Sequence, residues 1–299
     1  PPRVARHFDD QQERHVAQSL ASSLKTFAKP IWLAALARWV EVRWRLRRPG
    51  KPHGLPGRLV VSLTSYPKRF DVLHLTLKAL LTQTVATDAT ILWIAHKHMD
   101  KLPDNVRALE KHGLTIRATE DLRSYKKIVP ALAEYRDAFI VTADDDVYYA
   151  SNWLKTFCDA YVPGEKTALS YRAHRMAFDG NALAPYDSWT FEITDLKPGA
   201  DIFFTGVGGV FYPPDILHAD AANVSLLQQL CPTTDDVWLN WMVRLNGAQV
   251  RKIGPKVRFH EWPGSQGVAL QNSNRGGDGG NDRQIANIVN VYGLPGVNP

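Results

Sequence analysis

The run Leu59-Val60-Val61-Ser62-Leu63 opens a segment in which short apolar runs alternate with helical patterns. Apolar runs of this length predict buried strands, and longer stretches with apolar residues three or four apart predict helices. The predicted strands are residues 59–63, 89–95, 114–118 and 138–142, and the predicted helices are residues 72–83, 104–112 and 129–135. This rhythm predicts an α/β fold, a mixed and mostly parallel sheet flanked by helices, with ligands at the carboxyl ends of the strands.

The N-terminal part of the chain differs from this segment in charge and in pattern. Apolar residues recur at helical spacing over residues 11–48, interrupted at Pro30, and tryptophans interleave with arginines. Residues 1–50 carry ten Lys and Arg against four Asp and Glu, and so account for the whole net charge of +6. A basic amphipathic helix of this kind fits an anionic membrane surface; it equally fits a helix docked on the main domain with its arginines in water.

Prolines and glycines between residues 49 and 57 indicate a linker, so we expect a helical segment at residues 1–57 and the main domain at residues 58–299. Two cysteines are too few for a disulfide framework and favour a reducing compartment. No run approaches the roughly 20 apolar residues that span a bilayer. We expect a cytoplasmic protein with peripheral membrane contact through residues 11–48. Because the basic excess is terminal, no nucleic-acid partner is expected.

Three consecutive carboxylates, Asp144, Asp145 and Asp146, follow the last of the predicted strands. Like charges at a strand end repel one another unless a cation neutralises them. Mg²⁺ or Mn²⁺ takes oxygen ligands and is commonly shared between carboxylates and substrate phosphates. Alternation along the chain predicts Asp144 and Asp146 on one side and Asp145 on the other. The alternative is an exposed acidic turn.

A strand followed by three aspartates and Tyr148-Tyr149 resembles the DxD motif of GT-A glycosyltransferases, in which aspartates bind the ribose and the metal that bridges the diphosphate. Residues 59–70 resemble the first strand and nucleotide-binding loop of that family, and residues 121–132 resemble its donor-side basic segment. The resemblance covers residues 58–265. It implies a metal-dependent enzyme that moves a sugar from a nucleoside-diphosphate sugar, with UDP as the expected nucleotide, to a glycan. The implied nucleotide contacts are Thr64, Ser65, Tyr66, Arg69, Lys126, Lys127, Asp144 and Asp145.

The second half of the chain carries two further motifs that resemble the same family. A turn with Gly206, Gly208 and Gly209 lies between apolar flanks and resembles the glycine loop under the sugar and the acceptor. Asp235 and Asp236 open a predicted helix, where acids also complement the helix dipole without doing chemistry. The resemblance implies an acceptor contact for Asp235, which stands where the family has Glu. It implies that Asp236 is the general base of an inverting enzyme.

Further candidates lie in the second half of the chain. His260 follows a predicted strand at residues 256–259 and, by resemblance, is a further metal contact beside Asp144 and Asp146. Arg172, His174 and Trp189 combine planar and polar groups, which suit a sugar or an ordinary core. The polar, Gly-rich residues 271–282 predict a mobile loop. The main domain thus divides into a nucleotide-binding half at residues 58–150, an acceptor half at 151–265, and a mobile loop with the C-terminal segment at 266–299.

Other functions remain open at this stage. A metal-dependent nucleotidyltransferase also joins carboxylates to a nucleotide fold, a retaining GT-A enzyme would share the metal site, and a non-catalytic module would bind glycan or membrane. By analogy with membrane-held lipid-linked glycans, the basic helix favours a bacterial surface polysaccharide as the acceptor.

Overall fold

The structure, a computed structural model, describes residues 29–263 and 280–295. The chain forms two compact units, residues 1–46 and residues 47–299. In the described part of the first unit, helix α1 covers residues 29–45 and includes Pro30 in its first described turn. The rest of the predicted helix at residues 11–28 lies outside the described residues. No described helix is long and apolar enough to cross a membrane.

The first half of the second unit alternates strands and helices as the apolar runs predict. The elements are β1 (Leu59–Thr64), α2 (Phe70–Leu80), β2 (Ala89–Ala95), α3 (Asp104–Arg107), β3 (Leu114–Thr119), α4 (Val129–Glu134) and β4 (Phe139–Ala143). The predicted helix at residues 104–112 is α-helical for one turn only and continues as a 3₁₀ helix, Ala108–His112, which ends at Gly113.

The second half of this unit has shorter strands and longer loops. Its elements are β5 (Val147–Tyr148), α5 (Trp153–Ala160), β6 (Thr167–Ser170), β7 (Ala173–Arg175), β8 (Phe178–Asp179), β9 (Ala182–Leu183), β10 (Ile202–Phe204), β11 (Val210–Tyr212), α6 (Val224–Leu230), α7 (Asp235–Leu245), β12 (Gln249–Lys252), β13 (His260–Glu261) and α8 (Gly280–Tyr292). Most of the predicted mobile loop, residues 271–279, lies outside the described residues, whereas residues 280–282 open α8.

The main sheet has seven strands in the order β12-β6-β11-β4-β1-β2-β3. Neighbouring strands are parallel except at β11, which runs antiparallel to both β4 and β6. The prediction of a mixed, mostly parallel sheet is therefore confirmed. Because β11 is reversed, its first residues lie at the edge where β1 and β4 end, and a loop before β11 can meet the loops after those strands.

Helices cover both faces of the sheet, which explains why its central strands are buried and mostly apolar. On one face, Trp238 and Trp241 of α7 belong to the same buried cluster as Tyr212 of β11. On the other face, Phe157 of α5 stacks on Phe211 of β11, with ring centroids 5.9 Å apart. All the residues of β4 are buried. Continuous burial of this kind removes the alternation seen in half-exposed strands.

The predicted strand at residues 256–259 is wrong. These residues form no strand, and the short β13 begins only at His260. The apolar positions Val257 and Phe259 alternate with basic residues and so imitate a strand, but Val257 is 43% exposed. Phe259 packs edge-on against Tyr171, with ring centroids 5.5 Å apart, rather than facing a sheet.

Candidate functional site

The ends of two neighbouring parallel strands bring a serine and an arginine onto the acidic run. Leu63 of β1 pairs in register with Ala143 of β4, so the residues that follow each strand are adjacent in space. The Ser65 hydroxyl donates to Asp145 Oδ2 at 2.5 Å, and an Arg69 guanidinium nitrogen donates to Asp145 Oδ1 at 2.6 Å. A second Arg69 nitrogen lies 3.3 Å from Asp146.

This pairing differs from the predicted alternation, which placed Asp144 with Asp146. Asp145 and Asp146 share Arg69, whereas an oxygen of Asp144 lies 3.5 Å from Lys127 Nζ. The reason is that β4 ends at Ala143, so the period-two rule of a strand no longer applies to the three aspartates. Asp145 and Asp146 are each 4% exposed, which does not agree with an exposed acidic turn.

Lys127 links the acidic run to the start of α7. Its Nζ lies 3.1 Å from Asp235 Oδ2 and 3.5 Å from Asp144 Oδ1, and the side chain is only 10% exposed. The lysine ends a 3₁₀ helix, Arg123–Lys127. Its carbonyl accepts a hydrogen bond from the Ser62 hydroxyl of β1 at 2.5 Å. One buried ammonium thus joins carboxylates from two segments that lie about ninety residues apart in the chain.

Asp236 is held by the glycine loop that precedes β11. Its Oδ2 accepts a hydrogen bond from the backbone N–H of Gly206 at 2.9 Å. A Cβ at position 206 would lie 2.9 Å from Asp236 Oδ1 and 3.4 Å from Lys127 Nζ, so glycine permits this close approach. One turn later on α7, the Asn240 side-chain amide donates to the Asp236 carbonyl and to that of Phe204, which ties the helix to β10.

The other two glycines of the loop are required by their conformation and by their surroundings. Gly208 and Gly209 have φ values of +87° and +95°. A Cβ on Gly208 would lie 2.2 Å from the ring of Phe259, and one on Gly209 would lie 2.7 Å from the Thr142 carbonyl oxygen. The Trp153 indole N–H donates to the Gly208 carbonyl at 2.6 Å. The loop is therefore fixed against the end of β4.

Burial and mutual repulsion shape the ionisation of these groups. Burial, followed by the negative charge of Asp235, raises the pKa of Asp236 to about 7, although Lys127 and the Gly206 N–H oppose the shift. Burial also raises the pKa of Asp144. Burial alone would lower the pKa of Lys127, but Asp235 and Asp144 raise it well above its usual value. At neutral pH the lysine is charged and Asp236 is poised to exchange a proton.

Within residues 29–263 and 280–295, no group of three or more His, Cys, Asp or Glu side chains is gathered closely enough to hold a metal ion. A cation shared with a diphosphate needs only one or two carboxylates, however. Asp144 keeps a side-chain exposure of 23%, and burial has raised its pKa. Asp146 lies beside it and has Arg69 3.3 Å away. Carboxylate oxygens are the ligand type that Mg²⁺ and Mn²⁺ prefer, and metal binding by Asp144 and Asp146 stays a prediction.

His260, the third predicted metal contact, lies close to the acidic run in the fold. Strand β13 pairs antiparallel with β5, so that His260 is opposite Tyr148. The backbone N–H of Trp262 donates to the Asp146 carbonyl at 2.8 Å. The described contacts thus bring this segment to the end of β4, and metal binding by His260 stays a prediction.

Three of the predicted nucleotide contacts have partners of their own near this edge. The Thr64 hydroxyl donates to the Trp93 carbonyl at 2.8 Å. The ring of Tyr66 lies under the Arg69 guanidinium, 5.6 Å from the ring centroid. Lys126 is buried and donates to Asp121 at 3.0 Å, whereas its neighbour Lys127 contacts two other carboxylates, Asp144 and Asp235.

The predicted acceptor contacts Arg172, His174 and Trp189 differ in their burial and in their partners. Trp189 is 3% exposed and belongs to the core cluster. His174 is 1% exposed, and its Nδ1 accepts a hydrogen bond from the Glu192 N–H. Arg172 pairs with Glu192 at 3.3 Å. Buried positions do not favour sugar contacts for Trp189 and His174.

Several residues that shape the site are not among the predicted site residues. Trp153 and Phe259 hold the glycine loop, and the Tyr149 hydroxyl accepts a hydrogen bond from the Asp144 N–H at 2.8 Å. Asn240 is fully buried on α7, four residues after Asp236. A polar residue on the buried face of a helix, one turn from a candidate acid, is a signal that the sequence contains.

No protein-family model and no curated protein sequence matches the chain. Among solved structures, one similar chain is the inositol-1-phosphate CTP transferase from T. maritima, at 10% identity and a TM-score of 0.37, covering 73% of this chain and 96% of that one. Another is glucosyl-3-phosphoglycerate synthase from Mycobacterium tuberculosis, solved with Mn²⁺, UDP and glucosyl-3-phosphoglycerate, at 15% identity and a TM-score of 0.30, covering 42% of this chain and 49% of that one. At these values neither likeness bears on the activity of the chain.

Proposed function

We propose that the chain is a glycosyltransferase that moves a sugar from a nucleoside-diphosphate sugar to a glycan hydroxyl with inversion, and that Asp236 is the general base. The observation that carries the proposal is the arrangement of Asp236, Lys127 and Asp144 at one edge of the sheet. A carboxylate with a pKa of about 7 stands next to a charged lysine, which in turn contacts the acidic run.

Charged groups at this edge suit the diphosphate of a sugar nucleotide. Arg69 and Lys127 carry positive charge beside Asp144, Asp145 and Asp146. Together with a divalent cation they can neutralise a diphosphate, whose departure requires stabilisation of its developing negative charge. When bound, the cation supplies that charge stabilisation as a Lewis acid. The carboxylates of Asp144 and Asp146 would hold it.

In the reaction that this geometry favours, the acceptor hydroxyl oxygen forms a bond to the anomeric carbon. The bond between that carbon and the diphosphate oxygen breaks, and the nucleoside diphosphate leaves with the electron pair. The hydroxyl proton passes to Asp236. A general base works best when its pKa lies near the working pH, which agrees with the raised pKa of this carboxyl. The Gly206 N–H holds one carboxyl oxygen in place.

The proposal is tested by donor hydrolysis and transfer with a panel of nucleoside-diphosphate sugars, in Mn²⁺ or Mg²⁺ and in EDTA. We expect metal-dependent release of nucleoside diphosphate, with UDP-sugars as the first candidates. Release of pyrophosphate from a nucleoside triphosphate would instead identify a nucleotidyltransferase. Retention at the anomeric carbon would remove the role of Asp236, and full activity in EDTA would remove the metal.

A matched pair of variants distinguishes the loss of a carboxylate from the acidic run from the loss of a carboxylate elsewhere on the protein. Asp146→Ala should abolish metal-dependent nucleotide binding, measured by calorimetry, while Arg69 keeps its contact with Asp145 and the fold persists. Asp159→Ala removes an exposed carboxylate that pairs with Lys155 on α5, and it should bind nucleotide as the unaltered protein does.

We also propose that the acceptor is a bacterial surface polysaccharide. With this acceptor, the protein is proposed to be cytoplasmic.

A further inference from the structure

Helix α1 has two apolar faces, and one of them is exposed. Four large apolar residues lie on one side of the helix or directly after its end, and they are exposed: Ile31 (74%), Trp39 (53%), Val42 (42%) and Leu46 (73%). Trp32 (44%) lies beside them. On the opposite side, Leu33 and Val40 are 4% and 1% exposed. An exposed stripe of this length marks an interaction surface.

Arginines border the exposed face on both of its sides. At 100° per residue, Arg38 and Arg45 fall on one edge of the stripe that contains Trp39 and Val42, and Arg43 falls on the other edge. Residues 29–46 contain four Lys and Arg and a single acidic residue, Glu41. The face therefore combines large apolar side chains at its centre with positive charge at its margins.

This combination selects the occupant of the face. A second copy of the helix would bring its own arginines against these, and like charges across an interface oppose association. An anionic bilayer surface offers headgroups to the arginines and acyl chains to Trp39 and its neighbours, and tryptophan is favoured at that boundary. A helix with one apolar face and charged margins lies in the plane of the interface, so α1 would lie along the surface.

We propose that the exposed face of α1, formed by Ile31, Trp32, Trp39, Val42 and Leu46 with its bordering arginines, docks the protein on an anionic lipid surface. The inference rests on exposure and charge and is independent of the activity proposed above. A basic segment near an anionic membrane gains attraction from each Lys or Arg, and this attraction is screened by salt.

The test is co-flotation of the full chain with vesicles of phosphatidylcholine alone or of phosphatidylcholine with phosphatidylglycerol. We expect binding to the anionic vesicles that weakens as salt rises. Trp39→Glu should reduce the partition constant at least about tenfold, because it places a charge in the apolar stripe. Leu196→Glu is the matched control: Leu196 is 50% exposed and lies outside α1, and its replacement should leave binding unchanged.

A second pair of variants tests the charged margins without altering the apolar stripe. Arg38→Gln with Arg45→Gln should weaken binding by about an order of magnitude, whereas Lys101→Gln with Lys111→Gln, which removes the same charge from exposed positions in the second unit, should not. Equal binding to both vesicle types, or unchanged binding of Trp39→Glu, would overturn the proposal. So would a dimer that Trp39→Glu converts to a monomer without any vesicle binding.

Discussion

The carboxylate of Asp236 and the backbone N–H of Gly206 are joined by a hydrogen bond of 2.9 Å, although the two residues belong to different motifs. Gly206 lies in the turn before β11, and Asp236 lies in the first turn of α7. The bond fixes one carboxyl oxygen and leaves the side chain partly exposed. Because the donor lies outside α7, this bond sets Asp236 apart from an acid whose only interaction is with the dipole of its own helix.

Replacing Asp236 by Asn keeps the size of the side chain and removes its ability to take a proton. A positioned base contributes roughly 10² to 10⁴ in rate, so turnover of Asp236→Asn should fall by about that factor. Nucleotide affinity should persist, because Arg69 and Asp144 are unaltered. Asp104→Asn makes the same change in the first turn of α3 and should leave turnover intact. Near-normal turnover of Asp236→Asn would show that the acid serves only the helix.

The pH dependence of turnover should follow the same carboxyl. Since burial raises the pKa of Asp236 to about 7, the base is protonated below that pH, and kcat/KM should rise as pH passes through about 7. Stability should change in the opposite direction. The folded state holds this proton more tightly than the unfolded chain, so the stabilisation is complete below the ordinary carboxyl pKa near 4 and is lost as pH rises through about 7.

Denaturant unfolding at several pH values measures the second effect. Asp236→Asn cannot ionise, so its stability should fall less steeply between pH 4 and 7 than that of the unaltered protein. Identical slopes for the two proteins would mean that Asp236 ionises at its ordinary pKa.

The fold could be predicted from the sequence wherever an element is buried on both faces. Residues 89–95 form β2 with the predicted bounds, because a run of Ile91, Leu92, Trp93 and Ile94 has no other stable environment. The short second-half strands could not be predicted in this way. Strand β11 has three residues, and its reversal depends on pairing with β4 and β6, which local patterns do not contain.

The candidate site could be predicted as a set of motifs but not as a set of contacts. The position of the aspartates after a strand follows from the sequence, whereas the division of Arg69 and Lys127 among them depends on packing of distant segments. His174 and Trp189 show a second limit of sequence-based prediction. Side chains of these types suit a sugar-binding surface or a core equally, and only the buried positions of His174 and Trp189 favour the core.

Two glycines with nearly the same backbone conformation separate strain from crowding. Gly209 and Gly113 have φ values of +95° and +97°. A Cβ at Gly113 meets nothing within 4 Å, whereas one at Gly209 lies 2.7 Å from the Thr142 carbonyl oxygen and 2.8 Å from the Trp153 ring. Gly113→Ala should therefore cost about 1–2 kcal/mol for the left-handed backbone alone.

Gly209→Ala should cost more than about 3 kcal/mol, because overpacking adds to the same backbone term. Denaturant unfolding of Gly113→Ala and Gly209→Ala measures the two costs as losses in the free energy of unfolding. If the two costs were equal, the loop before β11 would have room to move away from Trp153, contrary to the contacts described.

Lys127 and Lys126 are adjacent, both are buried, and each pairs with carboxylates, yet their loss should differ. Lys127→Met leaves Asp144 and Asp235 without their ammonium partner in a buried site, which should cost about 3–5 kcal/mol. Lys126→Met leaves Asp121, whose side chain is 34% exposed and keeps Lys97 at 2.8 Å, so its cost should be clearly smaller.

The cost of Lys127→Met should also grow with pH. Without the lysine, the carboxylates of the folded protein hold protons to higher pH than those of the unfolded chain, so the deficit is small near pH 4 and increases through neutral pH. Unfolding free energies of both variants at pH 5 and pH 8 test this. A deficit of equal size at the two pH values would assign to Lys127 a packing role for its aliphatic chain rather than neutralisation of the acidic site.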